Sequence, residues 1–183
     1  MQLAEPVVAL FDYPIADIVA ALPDAGSPVW DLATFRQNNF APHAVTRSIV
    51  FRWPAPGWKP GSAPVVLRAT VLPADLTAAI DACADRIATE VGGEAVRVTL
   101  AELPPGGRIE AHHDIGNLTL IHRCHLPIVT SDDAVLTVER KPHRLRAGTV
   151  YDFDNTRLHS AANRGPAPRV HLLCDVLPFE LMR

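Results

Sequence analysis

Ala111-His112-His113-Asp114 sets an imidazole and a carboxylate two residues apart. Along a strand, side chains at i and i+2 share a face. His112 and Asp114 can therefore converge on one ion while His113 points away. A neutral imidazole and a carboxylate suit a borderline first-row metal. One more histidine would complete the two-histidine, one-carboxylate face of non-haem iron oxygenases. Three protein ligands leave the opposite face open for an organic co-substrate and oxygen. A lone His-x-Asp also marks solvated strand edges, so the downstream residues must decide.

The chain has eight histidines. His43 falls in a Pro-containing N-terminal segment and His143 in a Lys141-Pro142-His143 turn, which predicts surface positions for both. His122 alternates opposite to His125. His125, His159 and His171 remain as histidines able to face inward. His159, within FDNTRLHSAANRGPAPR, is the candidate third ligand. Arg169 follows ten residues later, at the start of the last predicted strand. An inward arginine must meet an anion. That anion is either a carboxylate of an organic acid, which the planar guanidinium matches bidentately, or a salt bridge to Glu110, Asp152 or Asp175.

The elements that must position these residues follow from periodicity. Leu76, Ile80, Cys83 and Ile87 form one stripe, which predicts a helix over Asp75–Val91. Asp75 is a candidate cap and Gly92-Gly93 a stop. Cys83 then sits on the buried stripe as a small hydrophobe. Short strands are predicted over Ala95–Glu102, Arg108–Asp114, Leu118–Ile128, Ala134–Glu139, Arg144–Leu145, Gly148–Phe153, Leu158–Asn163 and Arg169–Leu177. Such a series predicts a mainly β sandwich or jelly-roll barrel. The seventeen prolines gather in the first 75 residues and at turns. Residues 1–93 are therefore predicted as a helical and irregular cover that carries much of the substrate pocket. Within it, Ile15–Leu22 suggests a short helix, Val45–Phe51 a strand and Trp53–Pro64 a loop. Residues 94–178 are predicted as the barrel core, the whole chain forming a single domain.

The 183 residues suit one domain able to bury about 70% of its unfolded surface. Apolar residues at 48% and charged residues at 20% exclude a disordered polymer. A net charge of −3 gives no reason to expect nucleic acid or an anionic membrane as partner. Three scattered cysteines exclude a disulfide framework. No stretch approaches a membrane span or a secretory leader, and a cytoplasmic protein is expected.

Leu103–Pro178 resembles the aspartyl/asparaginyl β-hydroxylase family, which includes bacterial proline hydroxylases. The matching pieces are PPGGRIEAHHD, RCHLPIVT, AGTVYDFDN, LHSAANR and PRVHLLCD, in that order. The resemblance implies an iron(II)- and 2-oxoglutarate-dependent oxygenase on a double-stranded β-helix, a cupin-like jelly roll with flanking N-terminal helices. It implies metal ligation by His112, Asp114 and His159, and pairing of Arg169 with the distal carboxylate of 2-oxoglutarate. It also implies that His125 hydrogen-bonds the co-substrate, and that Arg123 binds 2-oxoglutarate or a substrate carboxylate. Asp154, Asn155 and Asn163 are implied as supports for the ligands. The animal peptide hydroxylase of this family lacks the ligand carboxylate, whereas Asp114 is retained here. That favours the ordinary triad and disfavours halogenation.

The expected reaction hydroxylates an unactivated C–H bond and releases succinate and CO2, with O2 as the oxidant. A small amino-acid-like substrate is favoured, with a peptidyl one as the second option. Trp30, Arg36, His43, Trp53 and Trp58 are N-terminal candidates for the pocket, with core packing or loop anchoring as the plainer role of each aromatic. The alternative from another class is a metal-binding cupin that ignores 2-oxoglutarate, either a sensor or a different enzyme.

Overall fold

The computed structural model describes residues 3–34, 38, 43–58, 65–69 and 72–182. Its strands are β1 (Val7–Asp12), β2 (Arg47–Pro54), β3 (Val66–Arg68), β4 (Gly93–Leu103), β5 (Arg108–His112), β6 (His122–Val129), β7 (Ala134–Val138), β8 (Lys141–His143), β9 (Thr149–Phe153), β10 (His159–Asn163) and β11 (Arg169–Pro178). Its α-helices are α1 (Ala16–Ala21) and α2 (Ala74–Val91). A seven-stranded sheet has the order β1-β9-β6-β11-β4-β2-β3, and a four-stranded sheet the order β5-β10-β7-β8. The fold is a mainly β, double-stranded β-helix.

The larger sheet is two-faced because strand side chains alternate. In β11, Val170, Leu172, Cys174 and Val176 enter the main apolar core, whereas Arg169, His171 and Asp175 are buried polar residues. In β6, Cys124 and Leu126 join that core, while Arg123 and His125 line cavities. In β4 the same division separates Val98 and Leu100 from Arg97 and Thr99. The apolar face is covered by Leu76, Ile80, Cys83, Ala84 and Ile87 of α2, with Ile18 of α1. The main hydrophobic core thus lies outside the barrel, between sheet and helices. The opposite face is left for polar chemistry, beside a smaller cluster of Leu136, Val138, Leu145 and Phe153.

Burial makes the core cysteines poor thiolates. The Cys83 thiol is pushed up to about 12, and Cys124 and Cys174 are also raised, with burial the first cause in each. All three are free thiols. One buried cation crosses the layers: Arg52 of β2 donates from Nε to Asp81 Oδ1 at 2.6 Å and from Nη1 to Asp85 Oδ1 at 2.7 Å. Asp81 and Asp85 are four residues apart and so share a face of α2.

Several expectations change. The N-terminal part is less irregular than its prolines suggest. β1, β2 and β3 join the larger sheet, and β2 runs on through Trp53 and Pro54. Residues 59–64 of the predicted loop lie outside the described residues. Helix α2 begins at Ala74 with Pro73 as its cap residue, so Asp75 lies in the first turn and caps nothing. The predicted strand Leu118–Ile128 is a 3-10 turn over Gly116–Leu120 followed by β6. The strand beside β7 is Lys141–His143, one turn earlier than Arg144–Leu145.

Gly92-Gly93 does end the helix, by two different means. Gly92 takes the left-handed conformation at φ 74°. Gly93 lies so close to β11 that an added Cβ would stand 2.3 Å from the Leu177 carbonyl oxygen. Gly93→Ala should therefore cost about 1–3 kcal/mol by overpacking, roughly 2–10 °C in Tm for a chain of this size. Calorimetry checks this, and an unchanged Tm would contradict the close approach.

Candidate metal centre

His112 ends β5 and His159 begins β10, and the two are register partners in the smaller sheet. Directly opposed residues of an antiparallel pair hold their side chains in contact. Their ring centroids are 4.3 Å apart. The strand stops at His112, so Asp114 is placed by the turn that follows rather than by strand alternation. Its backbone N–H donates to the Asn155 carbonyl at 3.1 Å. One ligand atom from each of His112, Asp114 and His159 lies within 4.8 Å of the others.

The hydrogen bonds select which atoms face the centre. His112 Nδ1 donates to the Glu110 carbonyl at 2.7 Å, and His159 Nδ1 donates to the Arg157 carbonyl at 2.8 Å. A carbonyl only accepts, so Nδ1 carries a proton in both rings and Nε2 is the nitrogen left to ligate. His112 Nε2 stands 4.0 Å from Asp114 Oδ1. The other carboxylate oxygen, Oδ2, accepts from Arg123 Nη1 at 2.5 Å and Asn155 Nδ2 at 3.0 Å. Two imidazole nitrogens and one carboxylate oxygen are left pointing inward, a donor set that fits a divalent first-row metal.

The charges agree with that fit. Burial opposes ionisation of Asp114, but Arg123 and the Asn155 amide outweigh it and hold its carboxyl below the ordinary value. Burial lowers His159, keeping the ring neutral and able to ligate.

Two cavities meet at this centre. A cavity of about 540 Å3 is lined by His112 and Asp114 together with Trp53, Arg97, Leu118 and Leu173. A narrower one is lined by His112 and His159 together with His125, Ser160, Arg169 and His171. Arg169, buried, faces this narrow cavity from the first position of β11. His171 is buried with neither ring nitrogen hydrogen-bonded. Burial, then Arg169 and His125, hold it well below the ordinary histidine value, so it is neutral. His125 packs edge-on against Phe153 at 4.9 Å.

Arg123 lines both cavities. It is paired with the protein's own carboxylates rather than left open for an incoming one. Its Nε and Nη2 donate to Asp175 at 2.9 and 2.8 Å, and Nη1 to Asp114. Asp175 is thus engaged by Arg123, while Asp152 pairs with His122 at 2.6 Å. Asn155 holds Asp114 and also donates to the Leu118 carbonyl at 2.8 Å. Asn163 organises the β10–β11 turn, donating to the carbonyls of Leu103 and Ala167 at 3.0 and 2.8 Å. Asp154 is fully buried and accepts from Leu3, Thr156 and Arg157, away from the triad.

The N-terminal candidates separate. His43, expected at the surface, stands edge-on to His112 at 5.3 Å and lines both cavities. Trp53 lines the larger cavity. Trp30 is buried in the main core, and Trp58 packs against the cluster of Val96, Ile121 and Leu177. Arg36 lies outside the described residues. Arg97 is a cavity residue that its place in an ordinary alternating strand did not disclose. His43 is thus a cavity residue, as its candidacy for the pocket has it, and its surface expectation is corrected by a long-range contact.

The sequence profile of the aspartyl/asparaginyl β-hydroxylase family matches residues 75–178. The chain belongs to the aspartyl/asparaginyl β-hydroxylase family. It is an enzyme of the oxygenase and hydroxylase kind. The match begins earlier than the quoted pieces and takes in α2 and β4. A 2OG-Fe(II) oxygenase-family oxidoreductase from Burkholderia pseudomallei is similar at 15% identity and TM-score 0.48, over 88% of this chain and 90% of that one. A predicted oxalate decarboxylase from Thermotoga maritima is similar at 22% identity and TM-score 0.38, over 45% and 67%. A cupin domain from Bordetella pertussis is similar at 20% identity and TM-score 0.36, over 44% and 79%. No curated protein matches the chain.

Partners that orient metal ligands commonly contribute 10–100-fold to affinity. Asn155→Ala should weaken binding of a divalent first-row metal by about that factor and leave the protein folded. Anaerobic titration calorimetry measures it. An unchanged affinity would mean that Asn155 does not set the Asp114 carboxylate.

Proposed function

We propose that this hydroxylase-family protein is an iron(II)- and 2-oxoglutarate-dependent oxygenase acting on an amino acid or an amino-acid-like or peptidyl substrate. The observation that carries this is the position of the triad between two cavities of different character. A metal held on one face by three protein atoms can meet a co-substrate from one cavity and a substrate from the other.

His112 Nε2, Asp114 Oδ1 and His159 Nε2 would hold the iron. Arg169 would take the distal carboxylate of 2-oxoglutarate in the narrow cavity, where a guanidinium matches a carboxylate bidentately. His125, on the same wall, would hydrogen-bond the co-substrate. Iron(II), 2-oxoglutarate and O2 supply the chemistry when bound, coupling decarboxylation to succinate and CO2 with hydroxylation of an unactivated C–H bond. Leu118 and Leu173 give the larger cavity apolar wall beside the metal ligands, which suits an aliphatic group. Arg123 orients rather than binds: it fixes Asp114 Oδ2, so that Oδ1 is the oxygen turned to the centre.

No helix among the described residues is long and apolar enough to cross a membrane. The three buried thiols suit a reducing compartment, and we place the protein in the cytoplasm.

Purified protein given iron(II) and 2-oxoglutarate should release succinate slowly, and faster with substrate. Arg169→Ala should raise the 2-oxoglutarate concentration required by about 10–100-fold, the worth of a charge-assisted pair. Asp114→Ala should abolish release with the fold kept. A 2-oxoglutarate-independent cupin or a sensor would release no succinate. Equal loss of folding in both variants would assign the two residues to structure alone.

A further inference from the structure

Arg97 lies on β4, on the wall of the larger cavity. Its side chain is 17% exposed. Its guanidinium lies over the Trp53 ring, 5.1 Å from the centroid. Its buried Nε has no hydrogen-bond partner among the described residues. Its ion pair with Asp175 is a long one, Nη1 to Oδ2 at 3.7 Å, beyond direct hydrogen-bond distance.

Asp175 stands off because it is already committed. Both of its oxygens accept from Arg123, which binds it bidentately. Asp114 offers no relief, since Oδ2 accepts from Arg123 and Asn155 and Oδ1 faces the metal ligands. Two arginines thus share two aspartates, and Arg123 holds the hydrogen bonds of both. Arg97 keeps a long ion pair with Asp175 and a place over the Trp53 indole, on the wall of a cavity beside the metal ligands. Leaving a buried charged donor unbonded is costly. Trp53 supplies a cation–π contact, which is no substitute for an acceptor.

We propose that Arg97 anchors a carboxylate of the substrate, and that the enzyme acts on a carboxylic acid whose apolar body lies along Leu118 and Leu173. The assignment rests on the oxygenase reading above and deepens it. It moves the substrate-carboxylate role from Arg123, whose guanidinium pairs with Asp175 and Asp114, to Arg97. Free amino acids and peptides with a side-chain or C-terminal carboxylate share this chemistry.

The test uses the full chain with iron(II), 2-oxoglutarate and a panel of probes. The panel holds the standard L-amino acids, their primary carboxamides, and short peptides with free and amidated carboxyl groups. Succinate release above the rate without a probe is the readout. The acids should stimulate release and the matching carboxamides should not. Stimulation by free amino acids assigns a free substrate, and stimulation by the peptides alone assigns a peptidyl one; either supports the anchor. Arg97→Met should raise the KM for the stimulating acid about 10–100-fold, as expected for loss of a charge-assisted pair. Arg97→Lys should recover part of that loss. The Kd for 2-oxoglutarate, measured separately, should stay within about twofold, because Arg97 does not line the narrow cavity. If Arg97→Met fails to fold, the acid–carboxamide comparison and Arg97→Lys decide the matter. The assignment is overturned if acid and carboxamide act alike, if the KM is unmoved, or if no acid stimulates a wild type that binds 2-oxoglutarate. A wild type that neither binds 2-oxoglutarate nor releases succinate overturns the oxygenase reading itself.

Discussion

Arg123 is the interaction on which the site depends. It lies on β6 opposite Asp175 of β11 and is held there bidentately. Its remaining arm reaches Asp114, in the turn after β5 of the smaller sheet. One guanidinium therefore ties a residue of the candidate metal centre to the wall of the larger sheet. Burial works against the charge, but Asp175 and Asp114 outweigh it and raise Arg123 above the ordinary arginine value. Removing one member of such a buried set costs about 3–5 kcal/mol, because its partners stay behind uncompensated.

That arrangement needs a sheet with two unlike faces. A barrel filled with leucine would have no room for Arg123, Arg97, Arg169 and His171. The alternation in β4, β6 and β11 sends every second side chain outward to α1 and α2, where the main core forms. The inward positions are released from the duty of filling an apolar interior. The fold is thereby stabilised on one side of the sheet and made reactive on the other.

Local pattern made the helix stripe, the strand series after Gly93 and the triad residues legible. Leu76, Ile80, Cys83 and Ile87 are fully buried on one face of α2. What escaped depends on pairing between distant segments, which local sequence does not encode. VVALFD, near the N-terminus, shows no clean alternation, yet β1 pairs with β9 nearly 140 residues later. Arg97 alternates like any solvent-facing residue, and only the β4–β11 register sets it opposite Asp175. The partner of Arg123 follows from the β6–β11 register in the same way. His43 is a pocket candidate from the sequence, but its contact with His112, between residues far apart in the chain, is not in any local pattern. The triad fared better because two of its members sit within three residues and the third lies on the adjoining strand.

The central claim is that His112, Asp114 and His159 hold iron(II) with an open face able to accept 2-oxoglutarate. Anaerobic visible absorption tests it most directly. Adding iron(II) and 2-oxoglutarate to the folded protein should give a weak charge-transfer band that neither gives alone. A folded protein that shows no such band at saturating concentrations of both would contradict the account.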